Sequence, residues 1–427
     1  MSTLPSSRRS QWPVWLCWLA MVLDGFDLVV LGTVIPTLIK TGDLGFNAVA
    51  ATFAATISLV GVGLGALFIA PLSDKFGRRK LLIACVAGFS VFTLAIAFAP
   101  DVATFSILRL LAGVGLGACL PAALAYMNDY APAGSGGKST TRTMTGYHVG
   151  AVATAFLAIL VIPNWRLMFI IGGAAGLVLL PFLWAKLPES LHGVAIKVAP
   201  AKPGASVEAG SAVGHSAKRS GTGFRELLER PYPLVALGVA IASFMGLLLV
   251  YGLNTWLPQL MAAAGYPVST GLTLLLVLNV GAVAGLVLAG VLADRHGTRR
   301  VVLLWFGLSA MLLGGLSIKI PNEFLLNAAV FVNGVFVFSS QVLVYAWVGQ
   351  LFPARLRGTA LGFAAGVGRL GAIVGPAVTG TLVATGAAYP AGFYVFAGAA
   401  VLAVAGLVLI PRATAPAIPE AVREPAG

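Results

Sequence analysis

The chain has 427 residues, of which 59% are hydrophobic and only 10% charged, with a net charge of +13. Its mean hydropathy is +0.95. Soluble chains carry roughly a quarter of their residues charged, so this composition excludes a soluble enzyme and a disordered protein. What remains is a chain solvated mainly by lipid.

Arg8 and Arg9 precede an apolar run that superficially resembles a secretory leader. Asp24 and Asp27 interrupt the run and no small-residue cleavage site follows, so it reads as a first membrane span that stays. A helix needs roughly 20 apolar residues to cross the hydrocarbon core. On that length the chain predicts spans at 14–38, 48–72, 81–99, 103–126, 143–163 and 167–186. Six more follow at 232–257, 270–293, 301–319, 324–348, 358–384 and 389–410. The expected fold is all-α and integral to the membrane, with twelve transmembrane helices in two six-helix bundles. The 52 glycines suit helices that pack closely in a bilayer. Cys17, Cys85 and Cys119 lie in apolar stretches without metal-ligand spacing and read as buried small hydrophobes; no disulfide and no metal site is expected.

The charges are sorted by side. With the N-terminus in the cytoplasm, only Lys40, Arg166 and Lys319 fall outside, and Arg109 and Arg369 lie within spans. The other Lys and Arg of the 27 fall in cytoplasmic segments. Such a bias sets orientation in membranes. It predicts a multi-pass protein of the cytoplasmic membrane with both termini inside, and it removes the need for a nucleic-acid partner to explain the basic balance. Residues 187–230 are polar, with the composition of a flexible linker, apart from a short surface helix expected over 224–232. The expected organisation is a six-helix bundle over 1–186, a cytoplasmic linker over 187–230, and a second bundle with a short tail over 231–427.

The halves repeat. GALFIAPLSDKFGRRK follows span two and GLVLAGVLADRHGTRR follows span eight. Gly65, Asp74, Gly77 and Arg79 of the first stand 220 residues before Gly285, Asp294, Gly297 and Arg299 of the second. Pro132 and Pro353 form a weaker pair. Tandem halves of this kind point to a transporter whose halves rock about a site between them.

These residues resemble the major facilitator superfamily. Both loops match its G-x-x-x-D-[RK]-x-G-R-[RK] signature, with Thr298 in place of Arg and His296 in a usually apolar slot in the second copy. RLLAGVGLG, from Arg109 to Gly117, is similar to its span-four segment. A narrower resemblance, to the aromatic acid:proton symporter family, rests on LDGFDLVVLG around Asp24 and Asp27, on GVGRLGAIVGP from Gly366 to Pro376, and on LFPARLRGTALG before it. Asn128 and Asp129 stand where that family usually has Glu. The resemblance implies proton-driven uptake of an aromatic carboxylate of the benzoate or hydroxybenzoate class by a monomer without cofactor. Protons, the aromatic acid and the lipid bilayer are its implied partners.

Charges at membrane depth are costly and usually functional. Asp24 and Asp27, one turn apart, share a helix face and resist double ionisation in a low dielectric. They are the candidates for proton coupling, with Asp27 favoured by the family pattern and Arg109 expected to tune or relay the proton at an acid of the first half. A guanidinium binds a carboxylate through a planar fork. Arg369, flanked by glycines, is therefore the candidate for the substrate carboxylate; a fixed pair with Asp24 or Asp27 is the alternative. Phe26, Tyr147, His148, Asn254 and Gln341 are candidates to line the site, and Tyr126, Tyr251, Trp256, Tyr345 and Trp347 are further aromatics expected to face it. Asp74, Arg78, Arg79, Asp129, Arg142, Asp294 and Arg299 are candidates for a salt-bridge latch that gates inward opening.

Two other readings stand beside this one. The same fold run in reverse gives a proton-coupled exporter, against which the buried Arg369 and the lack of a Pro-Gly-rich segment in span five weigh. A membrane sensor or scaffold needs an appended domain or partner surface that the sequence does not display. An integral-membrane enzyme is not expected, because the four histidines are scattered, and ATP-driven pumping is not expected, because no GxxxxGK[ST] motif occurs.

Overall fold

The computed structural model describes residues 12–130, 136–188, 226–227, 232–352 and 354–411. Among these are twelve long helices and no strand. In chain order they are α1 (Trp12–Thr41), α2 (Ala48–Leu64), α3 (Arg78–Ile96), α4 (Val102–Tyr130), α5 (Gly136–Val161) and α6 (Trp165–Lys186). The second half has α7 (Pro233–Ala263), α8 (Val268–His296), α9 (Thr298–Gly315), α10 (Glu323–Leu351), α11 (Ala354–Ala384) and α12 (Ala391–Val408). Each predicted span holds one long helix, although span 48–72 runs past the end of α2. Most helices outrun their spans: α1, with 30 residues, is about 45 Å long. The linker lies largely outside the described residues; of its expected surface helix, Glu226 and Leu227 are helical.

Local chemistry sets the helix ends. Asn47 and Asn322 accept hydrogen bonds from the amides of Ala50 and Leu325, capping α2 and α10. Before α4, Asp101 accepts from the Thr104 amide at 2.7 Å, and this donor holds its exposed carboxyl below the ordinary range. Gly77 and Gly297 turn the chain into α3 and α9 at φ 93° and 85°, a backbone region that side chains disfavour. The repeat breaks at one place. α8 runs straight to His296, but its counterpart passes from α2 into a π turn at Gly65–Ile69 and resumes as a short helix at Leu72–Phe76. Pro71 begins that segment, whereas Val291 stands 220 residues later. Proline removes a backbone donor and crowds the preceding turn.

Glycines bring helices into backbone contact. Gly61 lies against the Leu110 carbonyl, joining α2 to α4, and Gly281 lies against the Phe331 carbonyl, joining α8 to α10. These two are again 220 residues apart. Gly25 and Gly150 join α1 to α5, as Gly371 and Gly375 join α11 to α7. In lipid such close approach substitutes for a hydrophobic drive between helices. The spans of α1, α7 and α10 are each 61% buried, against 33% for α11, so these three sit centrally in the assembly.

The halves meet along α1 with α7, α2 with α11 and α5 with α8. At the face remote from the basic loops this seam is shut. Gly32 of α1 packs on the backbone of Asn254 and Thr255, and Gly380 of α11 packs on Thr52 of α2 and on Trp256.

Candidate functional site

Three helices of the first half converge on Asp27. Arg109 of α4 donates to its Oδ1 at 2.5 Å and to its main-chain carbonyl at 3.2 Å. Thr93 of α3 donates to its Oδ2. Arg109 is 1% exposed and Asp27 2%, so the ion pair is fully enclosed. The expected meeting of Arg109 with an acid of the first half therefore occurs at Asp27. Thr93 was not foreseen; a threonine in an apolar span carries no signal of its partner.

Asp24, one turn away on α1, is equally buried, but its Oδ1 has no hydrogen-bond partner. The charges acting on it are Arg369, across the seam, and Asp27. Arg369 of α11 donates to the Tyr251 hydroxyl of α7 at 3.1 Å. Tyr345 of α10 lies beside Arg369 and Tyr251. Tyr147 of α5 stands near Tyr251, Asp24 and Arg369. One basic and one acidic side chain thus face each other from opposite halves with three phenols around them. Arg369 is bonded to Tyr251 rather than held in a fixed pair with either aspartate.

His148 sits at the same seam. Its ring meets Tyr147 edge-on at 5.2 Å and Phe338 of α10 at 6.0 Å, and its Nδ1 has no partner. Gln341 of α10 is buried against Gly246 of α7, its amide N–H has the Tyr345 hydroxyl as its polar neighbour, and its Oε1 accepts no hydrogen bond. Asn254 accepts from Asn279 of α8 at 3.1 Å, and its Nδ2 is unsatisfied. It lies at the shut end of the seam, beside Gly32. Phe26 points elsewhere: its ring packs on Gly172 of α6, inside the first bundle and off the seam. Its position between the aspartates turns it to another helical angle.

The candidate latch residues divide. Arg79 donates to the Trp184 carbonyl at 2.6 Å and lies over that tryptophan ring, tying α3 to the end of α6. Arg299, its repeat partner, donates to the Ile410 carbonyl at 2.9 Å and lies over Trp347. Arg78 is half-buried, and Asp294 is exposed at the end of α8. The side chains of Asp74, Asp129 and Arg142 lie outside the described residues.

Comparison with known proteins supports the same architecture. A family model described as the Major Facilitator Superfamily matches residues 17–288 and 273–426. The chain is 35% identical to a gentisate transporter of Corynebacterium glutamicum, over 96% of this chain and 90% of the relative. It is 32% identical to a gallate transporter of Pseudomonas putida, over 94% and 93%. It is 31% identical to a benzoate transport protein of Acinetobacter baylyi, over 92% and 87%. In fold it is similar to a D-xylose-proton symporter, with a TM-score of 0.74 at 18% identity over 94% of this chain and 98% of that one. The two matched segments together span most of the chain, and the twelve helices and the paired loops agree with them. The chain is a membrane transporter rather than an enzyme, and it belongs to the Major Facilitator Superfamily.

Proposed function

We propose that the protein imports an aromatic carboxylate, of the benzoate or hydroxybenzoate class, across the cytoplasmic membrane together with protons. The observation that carries this reading is Arg369, held by Tyr251 at the seam and facing Asp24 from the other half. The guanidinium supplies a fork for the carboxylate, the surrounding phenols supply a slot for a flat ring, and the acids of α1 supply the coupling site. Similarity to gentisate, gallate and benzoate transporters supports the substrate class. With the basic loops in the cytoplasm, the shut end of the seam faces outward, so this state is closed to the outside. Tyr147, His148 and Gln341 line the ring slot, Asn254 belongs to the outer closure, and Phe26 supports α1 from behind. Arg79 and Arg299 brace the cytoplasmic ends of the two bundles as they rock about the site between them.

The reading is tested by uptake of labelled gentisate and benzoate into proteoliposomes under an inward proton gradient. Accumulation above equilibrium that collapses with a protonophore and fails in Arg369→Ala is the expected result. Gradient-independent uptake, or no uptake of either acid, overturns it.

A further inference from the structure

The two aspartates of α1 are chemically identical and one turn apart, yet their surroundings are unequal. Asp27 has a donor on each carboxylate oxygen, a guanidinium on one and a hydroxyl on the other. Asp24 has a buried oxygen with no donor, and the opposite charge that acts on it belongs to the other half of the molecule. A buried carboxylate is sustained in its ionised form by a paired cation and hydrogen bonds, and is costly without them. The seam is also where the halves move apart, so a partner across it is lost and regained in each cycle, whereas the contacts of Asp27 lie within one bundle.

Resting on the transport reading above, we infer that the proton exchanged during transport resides on Asp24, and that Asp27 remains ionised as the fixed counterion of Arg109. Protonation of Asp24 leaves the charge of Arg369 without a facing anion, so that it is available to the substrate carboxylate. The charge balance follows directly. With Asp24 ionised, the substrate brings a second anion to a single guanidinium in a low-dielectric seam. With Asp24 protonated, one anion meets one cation and the loaded seam is neutral. Proton binding therefore precedes anion binding from outside, and after inward release the proton leaves Asp24, whose charge again balances that of Arg369.

The other titratable groups near Asp24 are few. They are Asp27 on its own helix, Cys85 of α3, Cys119 of α4, Tyr147 of α5 and Arg369 of α11, with Tyr251 of α7 behind Tyr147. Phenols ordinarily titrate at about 10 and guanidinium stays charged, so these hold their charge between pH 6 and 8, and thiols, which ordinarily titrate at about 8.5, lose only a minor share of their protons at the upper end of that window. His148, which touches Tyr147, is the seam group whose ordinary range falls in that window. It is the necessary control.

The test is equilibrium binding of radiolabelled gentisate, benzoate and gallate to the purified full chain between pH 6 and 8, where all three are anions. The unaltered protein should weaken its binding with rising pH, by up to about tenfold per unit for one linked proton. Asp24→Asn, which imitates the protonated acid, should bind at all pH values within about twofold of one affinity. In proteoliposomes it should exchange labelled for unlabelled acid but not accumulate it. The paired variant Asp27→Asn/Arg109→Gln removes acid and base together, so no buried charge is orphaned, and it should keep the pH slope whatever its affinity. His148→Gln should keep the slope as well. If Asp24→Asn does not fold, Asp24→Glu should move the midpoint of the pH dependence. A slope that survives in Asp24→Asn, vanishes in the paired variant, or vanishes in His148→Gln overturns the inference. Failure of the unaltered protein to bind any of the three acids overturns the transport reading itself, and this inference with it.

Discussion

Arg109 and Asp27 form an ion pair at 2.5 Å that is almost wholly buried, tying α4 to α1. Removing one partner of such a pair leaves a buried charge without compensation and costs about 3–5 kcal/mol. Arg109→Ala and Asp27→Ala should each lower the thermal unfolding temperature of the detergent-solubilised protein sharply. The double variant should recover part of that loss. Additive losses in the double variant, read from the same melting curves, are the outcome that speaks against a coupled pair.

Backbone contact through glycine makes a second, symmetric prediction. A Cβ at Gly61 or at Gly281 would meet a carbonyl of the neighbouring helix, which cannot rotate away as a side chain can. Overpacking of this kind costs about 1–3 kcal/mol or more. Gly61→Ala and Gly281→Ala should therefore reduce the folded fraction seen by size-exclusion chromatography to a similar degree. Gly307 of α9 has nothing within 4 Å of an added Cβ. Gly307→Ala should be neutral or stabilising, since glycine in a helix costs about 0.5–1 kcal/mol relative to alanine.

The contrast between these glycines shows where sequence reading stops. Length and hydropathy sufficed for twelve helices, because a bilayer admits few alternatives to an apolar run of spanning length. The repeat was visible in Gly65, Asp74, Gly77 and Arg79 because they stand in polar loops where a pattern is rare. Gly61 and Gly281 obey the same 220-residue offset, but among 52 glycines nothing distinguishes those that meet a backbone from those that face open space. The site divides similarly. Asp24, Asp27, Arg109 and Arg369 were legible because charge is rare in lipid. Their pairing was not, since which acid meets which base depends on helix rotation, and Thr93 had no charge to betray it. Phe26 was drawn to the site by adjacency in sequence, although its ring sits against Gly172.

Arg79 and Arg299 give a third test. Each donates to a carbonyl at the end of its bundle, at 2.6 and 2.9 Å, and lies over a tryptophan ring. The contacts are remote from Arg369, so they bear on how firmly the bundle ends hold while the halves move. Arg79→Ala and Arg299→Ala should lower the maximal rate of uptake severalfold and leave KM within about twofold, because an interaction absent from the binding step does not alter affinity. Lysine in either position should rescue incompletely, since an ammonium cannot reproduce a planar guanidinium stacked on an aromatic face. Initial-rate measurements over a range of substrate concentrations separate the two parameters.

Gln341 carries the last prediction. It is buried, its amide N–H has the Tyr345 hydroxyl near Arg369 as its polar neighbour, and its Oε1 accepts no hydrogen bond. A buried amide oxygen left unsatisfied costs the empty protein about 1–3 kcal/mol, a cost that a ligand offering a hydroxyl relieves on binding. Gln341→Leu should therefore raise the thermal stability of the empty protein. It should weaken competition by ring-hydroxylated acids such as gentisate or gallate by roughly ten- to hundredfold, the equivalent of that relief. Benzoate has no ring hydroxyl to offer and should compete as well as before, or better. Discrimination of this kind follows from leaving polar groups unpaired rather than from ring size. Inhibition constants for the three acids, measured against one labelled substrate in the unaltered and Gln341→Leu proteins, decide it. Equal losses for benzoate and gentisate would instead place Gln341 in the packing between α7 and α10, where it already meets Gly246.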